Sequence, residues 1–268
     1  ALFHFLLDSV QPDQPVRNRS LAADSLVNAN LNRDQLLNLA GALKSTGPME
    51  TARLLAAFAR GSDDEIGLRL VASLSEAATL SSLRVEQLKP VFAKHSAAVQ
   101  AKAEPLLASL NVDLAQQRQH LDSLLASLKD GDVRRGQAVF NSPKAACSAC
   151  HAIGYAGGRL GPDLTRIGRI RNERDLLEAI VYPSASFVRS YEPVTVVTDS
   201  GDDYTGVLLV DGADEIVLGT GPGSEVRIAR NEIQEMRPGT LSVMPAGLDE
   251  QLTLQELADL IAFLKAAQ

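Results

Sequence analysis

The sequence predicts a mainly α-helical protein of two domains, the second of which carries a small inserted antiparallel β barrel or sheet. Apolar residues recur at helical spacing through most of the first half of the chain and again near its end. Between about residues 192 and 237 they alternate instead, in short runs separated by turn residues. The 268 residues are enough for two cores, and we place the domains at residues 1–128 and 129–268.

Helical periodicity defines the first domain. Gly47-Pro48 and Gly61 separate successive apolar stripes, because proline is tolerated in a first helical turn and glycine ends a helix. The stripes predict helices that begin near Asp34, Pro48, Asp64, Val85, Ala97 and Leu114. Helices joined by short polar turns resemble HEAT-like repeats, so we expect a scaffold or interaction surface.

Both cysteines of the chain lie in one C-x-x-C-H motif, Cys147-Ser148-Ala149-Cys150-His151. Two thiols three residues apart on one helical turn can each form a thioether with a haem vinyl group. The adjacent histidine can then bind the haem iron from one side. The motif therefore predicts one covalent haem c, attached through Cys147 and Cys150, with His151 as a metal ligand.

Zinc binding and thiol redox chemistry are alternative interpretations of the motif. Zinc needs about four ligands, and the remaining histidines, His4, His95 and His120, lie far upstream in the helical region. A thioredoxin-like C-x-x-C motif needs a βαβ setting, which the flanking sequence does not provide. Haem c is favoured over both, and over a chance occurrence without chemistry.

A longer set of motifs resembles class I cytochrome c. In order, these are Gly136-x-x-x-Phe140, Cys147-x-x-Cys150-His151, Gly161-Pro162-Asp163-Leu164, and a last helix with Leu260 and Phe263. The resemblance implies that the first and last helices of the domain cross at Gly136. It also implies that the carbonyl oxygen of Pro162 accepts a hydrogen bond from His151 Nδ1–H, which fixes the imidazole tautomer.

The resemblance further implies a methionine as the second axial ligand. The chain has three methionines, Met49, Met236 and Met244. We favour Met244 as the metal ligand, because it lies in a loop just before the last helix and is followed by Pro245. Met236 follows a predicted strand, Met49 lies in the helical half, and an open sixth position is the other alternative. A methionine that only fills a gap in the hydrophobic core, without binding a metal, is a further alternative.

Haem propionates need a cationic partner or solvent, and four arginines follow the C-x-x-C-H motif. They are Arg159, Arg166, Arg169 and Arg171. An arginine fork suits a carboxylate, and we favour Arg166 or Arg169 as cofactor-binding residues. A solvated basic loop is the alternative.

Additional motifs, among them Pro183-Ser184 and Ser242-x-Met244-Pro245, narrow the resemblance. They are similar to the haem-binding domain at the C-terminus of large multidomain proteins of Planctomycetes and Verrucomicrobia, where it often follows helical repeats. The resemblance implies transfer of single electrons through one His/Met-ligated haem, rather than catalysis by the domain alone. Electrons would come from an upstream dehydrogenase-like domain or pass to a redox partner protein. The alternative is a haem-based small-molecule sensor or a catalytic haem with an open sixth position.

Charge and hydropathy constrain the partners and the location. A net charge of −7 and the lack of tryptophan argue against nucleic acid as a partner. No apolar run is long enough for a transmembrane segment. Because haem c is attached outside the cytoplasm, we expect a periplasmic or otherwise exported protein. The apolar start, Ala1–Leu7, lacks the basic n-region of a signal peptide, and we interpret it as the end of an upstream helix.

The insertion explains why His151 and Met244 are 93 positions apart, which is long for a compact cytochrome. Alternation predicts strands at Val194–Thr198, Tyr204–Val210, Glu215–Leu218, Glu225–Ile228 and Ile233–Met236. We expect a small barrel or curled sheet that covers the cofactor edge or docks on the helical half. A binding site for a ligand or redox partner is the alternative.

Overall fold

The chain forms two compact units in a computed structural model that describes residues 1–59, 61–110 and 114–268. The units are Ala1–His120 and Leu121–Gln268. The division lies within a helix, upstream of the domain boundary expected after residue 128.

The first unit is helical, and capping side chains define several of its helix starts. Asn32 and Gln35 form a capping box, and Asp63 accepts backbone N–H groups at the start of the fifth helix. The helices are α1 (Leu2–Ser9), α2 (Val16–Asn28), α3 (Arg33–Ala42), α4 (Pro48–Leu54), α5 (Asp64–Ser75), α6 (Val85–Phe92), α7 (Ala97–Ser109) and α8 (Leu114–Ser127), the last of which continues into the second unit.

The helices of the first unit do not form HEAT-like repeats, so that expectation is wrong. A HEAT-like array repeats one hairpin of two sequential helices. Here the most extensive contacts join alternate helices, α2 with α4 and α3 with α5, while sequential helices pack only in some pairs, such as α1 with α2 and α6 with α7. Two short 3₁₀ segments, Leu55–Phe58 and Leu80–Ser82, interrupt the helical order further. Helical periodicity predicts the helices but not which of them pair.

The second unit combines helices with two antiparallel sheets. Its elements are α9 (Val133–Asn141), α10 (Cys147–Cys150), β1 (Ala152–Ile153), β2 (Ala156–Gly157), α11 (Ile167–Ile170), α12 (Glu173–Val181), β3 (Pro193–Thr198), β4 (Asp203–Asp211), β5 (Glu215–Gly221), β6 (Ser224–Ala229), β7 (Ile233–Pro238), α13 (Leu248–Gln251) and α14 (Leu254–Ala266). The sheet strands match the five predicted runs within a few residues.

Helices α9 and α14 cross at Gly136, as the sequence predicted. A Cβ atom at this glycine would lie 1.9 Å from the carbonyl oxygen of Asp259 in α14, so only the bare backbone permits the approach. One turn further along, the rings of Phe140 and Phe263 meet with centroids 5.4 Å apart. Leu257, Leu260, Ile261 and Leu264 of α14 are buried in the same core.

Asp259 anchors the crossing electrostatically. The side chain is nearly fully buried and accepts hydrogen bonds from Arg135 Nε at 2.7 Å and Arg135 Nη2 at 2.8 Å. The backbone N–H of Asp132 and the Gln255 amide also donate to it. The Arg135 bonds hold the pKa of Asp259 at about 2, below the usual 3.8. A buried carboxylate with four donors is a well-satisfied charge.

Acid should therefore destabilise the second unit through Asp259. Its folded-state pKa is depressed, so its contribution to the free energy of unfolding is complete above pH 3.8 and lost as the pH falls toward about 2. We expect Asp259→Asn to lower stability at neutral pH and to flatten the pH dependence between about pH 4 and 2.

Tyrosine fluorescence of the cofactor-free chain during urea unfolding can measure this effect. All four tyrosines lie in the second unit and the chain has no tryptophan, so the signal reports that unit alone. Asp211→Asn is the control, because Asp211 pairs with Arg230 on the surface. Equal pH dependence in wild type and Asp259→Asn would show that Asp259 does not anchor the fold.

The inserted strands form one five-stranded antiparallel sheet in the order β6-β5-β4-β3-β7. The predicted sheet is confirmed, but the predicted barrel is wrong, because no ladder joins the edge strands β6 and β7 in the described part of the chain. Val196, Ile216, Leu218 and Ile228 form the core of its buried face.

The sheet is nevertheless curled. Strands β6 and β7 lie at opposite edges, yet only the 3₁₀ turn Arg230–Glu232 connects them. The edges of a flat five-stranded sheet would be about 19 Å apart, whereas this connection spans at most about 14 Å. Register shifts in β3, β4 and β5 supply local bending.

None of the helices in the described part of the chain combines the length and apolarity that crossing a membrane requires.

Candidate cofactor site

Helix α10 presents both cysteines on a single turn. It follows Ala146, which adopts a left-handed conformation with φ 53° and ψ 25°. The N–H of Ala146 donates to the carbonyl oxygen of Ser142 at 2.8 Å, so the turn is closed by a hydrogen bond. This conformation is uncommon and costly for a residue with a Cβ atom. The chain thereby turns sharply out of α9 and begins α10 at Cys147.

The two thiols are free, partly exposed and protonated at neutral pH. Burial of the sulfur raises the pKa of Cys147 to about 12 and that of Cys150 to about 11. Thiol–disulfide enzymes instead lower the pKa of the attacking cysteine. The environment of this motif therefore disfavours thioredoxin-like chemistry.

His151 is held by one hydrogen bond that fixes its tautomer. Its Nδ1 atom lies 2.8 Å from the carbonyl oxygen of Pro162. A carbonyl oxygen only accepts, so Nδ1 carries the proton and Nε2 retains a lone pair. Burial lowers the pKa of His151, although the bond to Pro162 opposes this shift. A neutral imidazole with a free Nε2 is the form that binds iron or zinc.

Residues 158–164, here called the proximal loop, run beside the motif and hold the ring. Backbone N–H groups of Gly158, Gly161 and Leu164 donate to the carbonyl oxygens of Ser148, Cys150 and Ala152, at 2.8–2.9 Å. A Cβ atom at Gly161 would lie 2.5 Å from His151 Cε1, so the glycine backbone packs directly against the imidazole.

Met244 lies in the same unit as His151 and shares a hydrophobic cluster with Cys147. Its N–H donates to Ser242 Oγ at 3.1 Å, and the N–H of Ser242 donates to Ser184 Oγ at 3.0 Å. The loop that carries Ser242 and Met244 is thus held by Ser184, which lies shortly after the end of α12. In contrast, Met236 is 38% exposed on edge strand β7, and Met49 lies in the other unit.

The arginines proposed for cofactor binding lie at the surface around α11. Arg166 immediately precedes this helix and Arg169 is in its last turn, and both are exposed. Neither forms an ion pair with a described residue. Both guanidinium groups are therefore available to a carboxylate from outside the chain.

Sequence reasoning named Ser184 as part of a motif but did not predict its contact, and it missed Ala146. Ser184 accepts a hydrogen bond from Ser242, 58 residues away in sequence, and Ala146 carries the left-handed turn. A serine side chain that bonds a distant backbone leaves no local pattern. An alanine in this conformation gives no signal, because glycine or asparagine is usual there.

No family model and no curated protein matches this chain. Among the described residues, no group of three or more histidine, cysteine, aspartate or glutamate side chains is arranged to hold a metal ion.

The donor set is nevertheless suited to haem c. Cys147 and Cys150 offer two neutral thiols on one turn, and His151 offers a fixed lone pair at Nε2. Met244 adds a thioether near the same hydrophobic cluster. Thioether formation would add the S–H of a reduced cysteine across a vinyl double bond, and nitrogen ligation to iron would use the lone pair at Nε2.

Proposed function

We propose that the second unit is a c-type cytochrome domain that transfers single electrons through one covalent haem c. Cys147 and Cys150 would carry the thioethers, and His151 and Met244 would bind the iron. The observation that carries the proposal is the bond from His151 Nδ1–H to the Pro162 carbonyl oxygen, which leaves a lone pair at Nε2 in the residue that follows the helical turn of the two cysteines.

When bound, haem c supplies a one-electron iron couple. The chain's own residues supply the rest. The Pro162 carbonyl oxygen accepts a hydrogen bond from Nδ1–H, so the imidazole is a stronger donor at Nε2 and cannot rotate freely. The thioether of Met244 would be a soft ligand, and such a ligand would raise the potential relative to a second histidine. The hydrophobic cluster that contacts Cys147 and Met244 limits access of water to this region.

Arg166 and Arg169 would pair with the haem propionates. The proposal also places the protein in the periplasm or another exported location, where haem c is attached. Its electrons would come from a dehydrogenase-like domain upstream in a longer protein, or pass to a redox partner protein.

Met244→Ala tests the axial ligation. In the haem-loaded protein, the ferric wild type should show the weak long-wavelength band of methionine-ligated haem, and the variant should lack it. The reduced variant should bind carbon monoxide, while the reduced wild type should not bind it immediately. Met236→Ala is the matched control and should behave as wild type.

The opposite result would contradict the electron-transfer proposal. If the reduced wild type binds carbon monoxide immediately, the sixth position is open. A haem-based sensor or catalytic haem would then be favoured.

A further inference from the structure

The inserted sheet contacts the proximal loop at one glycine. A Cβ atom at Gly219, in strand β5, would lie 2.4 Å from Leu160 Cδ1. The bare backbone of Gly219 therefore forms the surface on which the Leu160 side chain lies. Gly219 is buried and Leu160 is partly buried, so a loop residue contributes to covering the central part of the sheet.

The proximal loop is held at both ends by apolar contacts. Leu164 packs against the helical core of the unit, and Leu160 packs against the sheet. Between these two contacts lie Gly161, which touches the His151 ring, and Pro162, whose carbonyl oxygen accepts a hydrogen bond from His151 Nδ1–H. The residues that set the imidazole thus lie between a contact with the helical core and a contact with the sheet.

The contact with the sheet adds to the backbone hydrogen bonds of the loop. These bonds run to residues 148–152, the segment that carries the motif, and involve the N–H groups of Gly158, Gly161 and Leu164. They tie the loop to the motif, and the Leu160 contact ties the loop to the sheet as well. Leu160 contacts an element about 60 residues away in sequence, and that element has a core of its own.

We propose that the inserted sheet positions the proximal histidine, with Leu160 seated on Gly219 as the coupling contact. The inference rests on the proposed haem function. It assigns the insertion a role in setting the donor strength of His151: a fixed loop keeps the Pro162 carbonyl oxygen in place, and this bond raises the basicity of the imidazole. Leu160 and Gly219 are positioning residues, since neither contacts the reacting group.

Amide hydrogen exchange of the cofactor-free chain tests the contact without haem. Leu160→Ala should speed exchange of the Gly161 and Leu164 amides by about tenfold, because the loop loses its contact with the sheet. Leu209→Ala is the matched control. Leu209 also contacts the Gly219 position, at 2.9 Å, but it belongs to strand β4 and not to the loop. Leu209→Ala should leave the exchange rates of the Gly161 and Leu164 amides unchanged.

The haem-loaded protein gives a second readout. We expect Leu160→Ala to shift the equilibrium for reduction about three- to tenfold toward the reduced form, because a loosened second-shell acceptor weakens the histidine donor. Gly219→Ala should shift it in the same direction by displacing Leu160. Combining Gly219→Ala with Leu160→Val conserves the total side-chain volume at the contact, so the double variant should have the wild-type equilibrium for reduction.

Two results would overturn the inference. One is a Leu160→Ala variant whose amide exchange rates and reduction equilibrium equal those of the wild type, which would show that the loop is held without the sheet. The other is an equal effect of Leu209→Ala, which would reflect general loosening of the sheet. Failure of the haem proposal is distinguishable, because the wild type would then lack covalent haem while the exchange experiment still reports on the loop.

Discussion

Replacing Gly136 with alanine is expected to destabilise the second unit by about 3 kcal/mol or more, among the largest effects of a single substitution. The added Cβ atom would lie 1.9 Å from Asp259 O and 2.7 Å from Phe263 Cβ. Both are atoms that cannot rotate away, so α9 and α14 must separate. Separation would break the Arg135–Asp259 bonds and the Phe140–Phe263 contact.

A second glycine inside a helix provides the control. A Cβ atom at Gly41, in α3, would meet only the flexible end of Arg69, at 3.1 Å. Gly41→Ala should therefore be neutral or stabilise the protein by up to about 1 kcal/mol through helix propensity. Gly136→Ala gains the same helix propensity. Its net loss of unfolding free energy therefore measures the cost of forcing α9 and α14 apart.

Thiol labelling during urea unfolding measures the Gly136 effect in the cofactor-free chain, and far-ultraviolet circular dichroism, which reports the helices of both units, measures the Gly41 control. The only cysteines, Cys147 and Cys150, lie in the second unit, so their modification reports its unfolding. A midpoint for Gly136→Ala equal to that of wild type would show that the helices do not cross as closely as described.

Gly161→Ala is expected to displace His151 from the Pro162 carbonyl oxygen. Gly161 has no positive φ, so alanine is compatible with its backbone, and the imidazole is the obstacle. The new Cβ atom would lie 2.5 Å from Cε1 and 2.8 Å from Nδ1 of the ring. Overpacking and the lost hydrogen bond together should cost about 2–4 kcal/mol.

Nitrogen NMR of the cofactor-free chain can observe this displacement directly. In the wild type, His151 should be neutral and protonated at Nδ1. In Gly161→Ala, the ring should populate both tautomers, because the acceptor that selects Nδ1–H is no longer in reach. Gly239→Ala is the control, since its Cβ atom would come no closer than 3.1 Å to Pro193. An unchanged Nδ1 tautomer in Gly161→Ala would contradict the described packing of the ring.

Local signals in the sequence predict much of the second unit. Thr253 and Glu256 form a capping box, in which Thr253 N–H donates to Glu256 Oε2 at 2.8 Å, and α14 begins at Leu254. Asp132 caps α9 by accepting a hydrogen bond from the N–H of Arg135. Both features depend on residues within one helical turn, so they are readable without knowledge of the fold.

Features that depend on distant pairing are not readable in this way. Alternation predicts five strands but cannot show that β6 and β7 take opposite edges of the sheet, so it does not distinguish a barrel from an open, curled sheet. Helical stripes likewise do not show that α2 packs on α4. The contact of Leu160 with Gly219 and the bond of Ser242 to Ser184 join segments about 60 residues apart.

The intact mass of the denatured chain, after expression with a c-type haem maturation system, tests the central claim most directly. Wild type should retain the mass of one haem under denaturing conditions, because thioether bonds at Cys147 and Cys150 survive unfolding. The Cys147→Ala/Cys150→Ala double variant should show the mass of the bare polypeptide. A wild-type chain without the added mass would contradict the assignment of this site to haem c.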